Sequence, residues 1–221
     1  MKNRFCSRPI LPLILLLGLI ASCRPGPELK DGDIIFQRSN SRQAQAIALA
    51  THSDYTHMGI VFFEAGVPFV YEAIQPVCKT PLKVWITRGE GGRYIAKRLK
   101  DSSTLNIARL LSEVNAMMGK DYDWLFEWTD DRIYCSELVW KAYLRATGLE
   151  IGRLRTLGDF NLSHPAVRQL MKERYGDNVP LKMSVIAPCD IFESPLLATV
   201  NKMPEVTAKP QKQPANHGQR E

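Results

Sequence analysis

A cysteine opens what reads as an amphipathic helix in Tyr134-Cys135-Ser136-Glu137-Leu138-Val139-Trp140-Lys141-Ala142-Tyr143. Positions 135, 138, 139, 142, 143 and 146 are Cys, Leu, Val, Ala, Tyr and Ala, the recurrence of one buried helical face, and Gly148 closes the run. Cys135 lies at the N-terminal edge of this stripe, where unpaired backbone N–H groups and the positive end of the helix dipole favour a thiolate. The same position suits a small buried core cysteine, so residue type and place alone leave both roles open. A thiol nucleophile needs a base to take its proton, and the base needs an acceptor that holds its tautomer and supports the imidazolium. Of the four histidines, His217 lies in a polar tail and His164 precedes a proline at a helix start, which leaves His52 and His57. His57 begins a strand, a more rigid support than the loop carrying His52. Glu72, on the next strand, is the acid available to orient it.

The elements that must bring these residues together are a hairpin and a helix. The runs His57 to Glu64 and Pro68 to Ile74 are rich in β-branched and aromatic residues and flank Ala65-Gly66-Val67, which predicts a hairpin. With a two-residue turn at Ala65-Gly66, or a four-residue one, Gly59 faces Glu72 and His57 lies diagonally across from Glu72 on the same face. A three-residue loop puts His57 and Glu72 on opposite faces, because a one-residue slip exchanges the two sides of a strand. Around the hairpin, Ile34-Ile35-Phe36 reads as a strand, and Ser41 caps a helix through Ala50 with Ala46, Ile47 and Ala50 on one face. Thr80-Pro81 is expected to start a helix ending by Gly89, Arg93 to Leu99 a strand, and Ser103 to Met118 a helix. The aromatic segment Tyr122 to Trp128 is expected to pack Trp124 and Phe126 into the core. Ser163 or His164 before Pro165 starts a last helix that Gly176 ends, and Val179 to Val200 holds strand-like pieces.

Residues 1–22 place the chain in a compartment. Lys2, Arg4 and Arg8 precede an apolar run from Pro9 to Ile20, too short to span a membrane, and Ala21-Ser22-Cys23 follows. A cysteine directly after Ile-Ala-Ser resembles a lipobox, in which the signal is removed and Cys23 carries the lipid anchor. Arg24 stands where, by resemblance to lipoproteins held at an inner membrane, Asp would be expected, so in a Gram-negative source the anchor is expected at the periplasmic face of the outer membrane. Residues 23–30 read as a lipidated linker, 31–200 as a single domain, and 201–221, rich in Lys, Pro and Gln, as a tail with almost nothing to bury. Loss of the signal removes three basic residues and halves the formal net charge of +6, too mild a balance for nucleic acid, and no basic run argues for it. In an oxidising compartment Cys78 with Cys189 is the disulfide that leaves Cys135 free. Zinc held by His52, His57, Cys135 and a further cysteine is disfavoured, since no pair has the short ligand spacing of zinc sites, and no metal or cofactor is expected.

Gly32-Asp33-Ile34-Ile35-Phe36, Thr51-His52-Ser53-Asp54-Tyr55-Thr56-His57, Tyr71-Glu72-Ala73 and Tyr134-Cys135-Ser136-Glu137-Leu138-Val139-Trp140 together resemble the YiiX group of permuted papain-like amidases, within the wider NlpC-type superfamily. The resemblance implies an α+β fold in which an antiparallel sheet carrying the histidine precedes, and packs against, the cysteine-bearing helix. It implies Cys135 as nucleophile, His57 as general base and Glu72 as orienting acid, with the Cys135 backbone N–H in the oxyanion hole. Tyr134 is similar to a family aromatic near the site. Tyr122 resembles the tyrosine of a Gly-x-x-Tyr motif that in NlpC-type enzymes comes just before the cysteine, whereas here it precedes Cys135 by a longer stretch. Glu72 also departs from the third His or Asn of the superfamily. The activity so implied is cleavage of an amide bond, in peptidoglycan peptides or in a small acyl-amino compound. An acyltransferase or lipid esterase using the same thiol, and a non-catalytic envelope binding module, are the other readings.

Overall fold

A computed structural model describes residues 28–201. The signal segment, Cys23 and the tail lie outside the described residues. The chain opens with β1 (Ile34–Gln37), α1 (Arg42–Thr51) and the strands β2 (His57–Glu64) and β3 (Val67–Glu72). It continues through β4 (Cys78–Pro81), α2 (Leu82–Thr87), β5 (Ile95–Leu99), α3 (Ile107–Asn115) and the short β6 (Asp121–Tyr122) and β7 (Arg132–Ile133) to α4 (Cys135–Thr147). Then follow β8 (Arg155–Thr156), α5 (Pro165–Tyr175), β9 (Ser184–Val185), α6 (Pro188–Phe192) and β10 (Leu197–Asn201). Six strands form one antiparallel sheet in the order β10-β5-β1-β2-β3-β4, a mixed α+β architecture.

Period-2 alternation divides the sheet into two apolar faces. Ile34, Phe36, Met58, Ile60 and Phe62 face α3 and α4 and join Leu110, Leu138 and Val139 in the main core. Ile35, Val61 and Val70 face the other way, against Leu82 and Trp85 of α2. The hairpin turn has two residues. Ala65 and Gly66 both take left-handed backbone (φ 48° and 81°), the type I′ turn whose twist matches that of the strands, and Glu64 pairs with Val67 and Ile60 with Tyr71. This is the register that puts His57 and Glu72 on one face.

The helix α4 is enclosed more completely than its apolar stripe predicts. The stripe residues Cys135, Leu138, Val139, Ala142, Tyr143 and Ala146 are buried, but so are Ser136, Glu137, Trp140 and Lys141. Segments on either side cover this second face and supply its partners. Ser136 Oγ donates to the Ile186 carbonyl (2.8 Å), Trp140 Nε1 to that of Gly152 (3.0 Å), and Lys141 Nζ pairs with Glu137 (2.7 Å) and Asp130 (2.9 Å).

Several local expectations change in the structure. Thr80 does not cap a helix; it lies in β4, and α2 begins after Pro81. The helix expected from Ser103 is shorter, capped by Asn106, whose Oδ1 accepts from the Arg109 N–H (3.0 Å). Trp124 is 53 % exposed rather than in the core, because the segment 123–131 runs over the surface of α4, while Phe126 is half-buried against Tyr134. Cys78, in β4, and Cys189, in α6, are both free thiols. The caps at Ser41 and His164 form as expected, accepting from the N–H groups of Ala44 (3.0 Å) and Ala166 (3.2 Å).

Candidate active site

Glu72 reaches the site because of the hairpin register and stays ionised because of β4 and α2. It is fully buried. A lone buried carboxylate would take up a proton, and burial does push the Glu72 pKa upward. Hydrogen bonds and charge outweigh that and leave it below its ordinary value. His57 Nε2 lies 2.6 Å from Glu72 Oε2, while Oε1 accepts from Thr80 Oγ1 (2.5 Å) and from Arg88. Thr80 gains its place by strand pairing: Val70 faces Thr80 and Glu72 faces Cys78, so Thr80 is diagonal to Glu72 on the same face. Arg88 follows α2 directly.

Gly59 makes the diagonal contact across β2 and β3 feasible. A Cβ at this position would stand 2.6 Å from the Tyr71 carbonyl oxygen and 2.6 Å from Val70 Cγ1. The strands approach too closely there for any side chain, and the space beside Gly59 is left to the side chains of His57 and Glu72.

His57 is the first residue of β2. Alternation puts its side chain on the α2 side of the sheet, where the ring stacks on Trp85 at 6.0 Å between centroids. Since the sheet ends at His57, the imidazole also meets α4, which packs on the opposite face. Cys135 acts on it from there: among the groups that raise the His57 pKa against burial, Cys135 comes first. Glu72 occupies Nε2, so Nδ1 is the ring nitrogen that Glu72 does not bind. Burial alone would lower the His57 pKa; the hydrogen bonds and charges of Cys135 and Glu72 outweigh it and push it up to about 9. The raised pKa favours the imidazolium form of the ring beside Cys135.

Cys135 begins α4, and Tyr134 is the cap residue before it. The Glu137 carboxylate reaches back to the Tyr134 N–H (3.3 Å) and fixes the entry into the helix. Burial raises the Glu137 pKa to about 7 despite Lys141 beside it. The Cys135 N–H lies in the first turn of α4, where a backbone N–H has no helical carbonyl one turn back to bond. Tyr122 lies close by: after burial, the charge of Cys135 is the largest cause raising its pKa. Its Oη accepts from Gln43 Nε2 (2.7 Å), so the phenol keeps its own proton to donate. Gln43 is held in turn by Arg174 through Oε1 (2.7 Å), and the Tyr122 backbone N–H donates to Gln75 Oε1 (2.7 Å). The Tyr134 hydroxyl points elsewhere, accepting from the Ile186 N–H (3.1 Å).

The structure thus brings Cys135, His57 and Glu72 together and sets Tyr122 at the thiol, while the Tyr134 ring packs on Phe126. His52 takes no part; its Nε2 lies 3.2 Å from Asn161 Nδ2 on the surface. Four supporting residues escaped sequence reasoning: Thr80, Arg88, Gln43 and Trp85. Only Thr80 carried a signal, its period-2 relation to Glu72 once β4 is recognised as a strand.

The family model described as permuted papain-like amidase enzyme, YaeF/YiiX, C92 family, matches residues 28–201. The protein YiiX of Escherichia coli K12, itself described as uncharacterized, is 43 % identical over 204 residues, covering 91 % of this chain and 96 % of YiiX. A crystal structure of YiiX from Escherichia coli O157:H7 superposes with a TM-score of 0.75 at 45 % identity, covering 79 % of this chain and 97 % of that one. That relative is described as a metalloprotein. In this chain, no three His, Cys, Asp or Glu side chains among the described residues stand together so as to hold a metal ion. At the thiol, both Glu72 oxygens are committed, leaving Cys135 and His57 as a two-donor set, short of the three or four protein ligands that zinc takes. The described residues at the thiol do not fit a resident metal. Matched over the whole sheet and the cysteine helix, the chain belongs to the C92 family of permuted papain-like amidases, the YaeF/YiiX group.

Proposed function

We propose that the protein is a cysteine hydrolase that cleaves an amide bond with Cys135 as nucleophile, His57 as base and acid, and Glu72 as the group orienting His57. One observation carries the reading: His57 binds Glu72 through Nε2 at 2.6 Å, and Cys135, the first residue of α4, is the foremost of the groups that raise the His57 pKa. The Cys135 sulfur adds to the amide carbonyl, and the oxyanion is met by the Cys135 N–H and the Tyr122 phenol. Protonated His57 gives its proton to the leaving amine as the C–N bond breaks. Neutral His57 then takes a proton from water, which attacks the thioester and releases the acid and the thiolate. Gln43 acts as a positioning residue by turning the Tyr122 lone pair away from the site.

Iodoacetamide at neutral pH is expected to alkylate Cys135 well ahead of Cys78 and Cys189, read by peptide mass spectrometry. Cys135→Ala is expected to abolish amide hydrolysis; hydrolysis surviving that substitution would overturn the mechanism. The reading keeps the envelope location expected from Cys23. Cys23→Ser is expected to move the protein from the membrane to the soluble fraction of the cell envelope, and an unchanged distribution would refute lipid anchoring at that residue.

A further inference from the structure

The two faces of the sheet are covered unequally. One lies under α3 and α4 and closes the main core, whereas the other is covered by α2, a helix of six residues. Behind α2 a small core forms, in which Leu82 and Trp85 meet Ile35, Val61 and Val70. Its border stays open: Leu29, Phe63, Ile86 and Tyr94 pack against it but are only half-buried. Val84, which α2 turns away from the sheet, is 52 % exposed. A lone exposed apolar side chain needs no explanation, but these five surround one core and form a continuous apolar border.

Basic residues stand in the same segments. Lys30 follows Leu29, Lys83 precedes Val84 and Arg93 precedes Tyr94, and all three are exposed. The acids nearby are Asp31, whose Oδ1 accepts from the Phe63 N–H (2.6 Å), Glu90, paired with Arg38 (2.9 Å), and the exposed Glu28. The chain also enters the domain on this face. Leu29 packs on the α2-side core, and Arg98 Nη2 donates to the Glu28 carbonyl (3.0 Å), which fixes the entry in place. Cys23 precedes Glu28 by five residues, and an extended chain spans at most about 3.6 Å per residue, so Cys23 lies within about 18 Å of Glu28. A lipid on Cys23 therefore holds the bilayer near the α2 side of the sheet. Apolar residues edged by Lys and Arg are the chemistry that an anionic lipid surface accepts, the former at the acyl boundary and the latter at the headgroups.

We propose that the α2 face of the sheet is a membrane-contact surface that rests on an anionic phospholipid leaflet. This builds on the lipid anchor read at Cys23 and says which way the anchored domain lies. Val84, Ile86 and Leu29 meet the acyl boundary, with Lys30, Lys83 and Arg93 among the headgroups. The contact is one layer from the thiol site. Trp85, on the inner side of α2, stacks on His57, and Arg88, directly after α2, holds Glu72. The helix that touches the leaflet is thus the one that backs the base and its carboxylate.

The test is amide hydrogen exchange, read by mass spectrometry, on the protein purified from membranes and placed in vesicles of phosphatidylethanolamine and phosphatidylglycerol. A variant carrying Lys83→Glu and Val84→Glu is compared with it. Both side chains are exposed, so the variant is expected to unfold at the same urea concentration as the parent. In the parent, exchange across α2 and around Leu29 is expected to slow several-fold in these vesicles relative to phosphatidylcholine vesicles, with α3 and α5 unchanged. In the variant that slowing is expected to vanish while the protein stays in the vesicle fraction. Equal exchange in parent and variant, or slowing confined to α3 or α5, would overturn the proposal. Slowing across α2 that needs no vesicles and grows with protein concentration would give this face to a second copy of the chain and overturn it as well. The intact mass of the purified protein reports the lipid on Cys23 separately. Should no lipid be found, the chain is added to the same vesicles from outside: slowing across α2 would leave the contact surface standing without the anchor, and its absence would remove both.

Discussion

At the scale of residues, the site depends on one carboxylate kept ionised in a place where carboxylates ordinarily take up a proton. Glu72 keeps its charge through His57, Thr80 and Arg88, and together with Cys135 it outweighs burial and raises the His57 pKa. The signs of the two shifts set the pH window. Because folding raises the His57 pKa from 6.5 to about 9, its contribution to stability is complete below about pH 6.5 and is lost as pH rises through 9. Because folding lowers that of Glu72, its contribution is complete above its ordinary value of 4.5 and is lost as pH falls through the lower folded value. The pair stabilises the fold most between about pH 4.5 and 6.5. Under the proposed mechanism, loss of the His57 proton near pH 9 would remove the acid that the leaving amine needs. Glu72→Gln is expected to shift the His57 titration, followed by NMR, to lower pH and to bring the alkaline fall in kcat down with it. The same change is expected to lower kcat by about 10²- to 10⁴-fold, the range of general acid–base catalysis. An unchanged His57 midpoint in that variant would show that Glu72 is not the group that holds the ring charged.

At the scale of elements, the hairpin decides whether an acid and a base on neighbouring strands can act as one unit. Its two-residue turn gives the register, and Gly59 supplies the close approach. Gly59→Ala would drive a Cβ to within 2.6 Å of a carbonyl oxygen, backbone that cannot turn aside. It is expected to destabilise the protein by about 1–3 kcal/mol, the usual range for overpacking, measured by urea unfolding. A loss below about 0.5 kcal/mol, the scale of an ordinary surface substitution, would mean that the strands part there without cost.

At the scale of the whole molecule, α4 is the structural centre as well as the carrier of the thiol. Its apolar side lies on the sheet, and its polar side is covered by the segments around Thr129 and Ile186. Leu138, fully buried one turn after Cys135, joins the helix to the sheet core. Leu138→Ala is expected to cost about 2–5 kcal/mol in urea unfolding, with Cys135 alkylation by iodoacetamide slowing as the helix start loosens. Unaltered stability would show that other contacts hold α4 in place.

The sequence by itself determined the parts that depend on neighbours along the chain. The stripe from Cys135 to Ala146 marked the helix, the alternating runs around Ala65-Gly66 marked the hairpin, and Ser41 and His164 marked helix starts, because caps, turns and periodicity act within a few residues. It also narrowed the contact between His57 and Glu72 to a question of turn length, since register follows from parity. What only tertiary structure decided are encounters between distant segments. Thr80 and Arg88 hold Glu72, Gln43 holds Tyr122, and the stripes of α1 and α5 meet around a cleft. No local pattern carries these, because a hydrogen bond or an apolar wall depends on which faces the fold presses together, not on spacing along the chain. Cys135 shows both sides of this: its place at a helix start is written in its neighbours, while the imidazole beside it arrives from the far end of a strand.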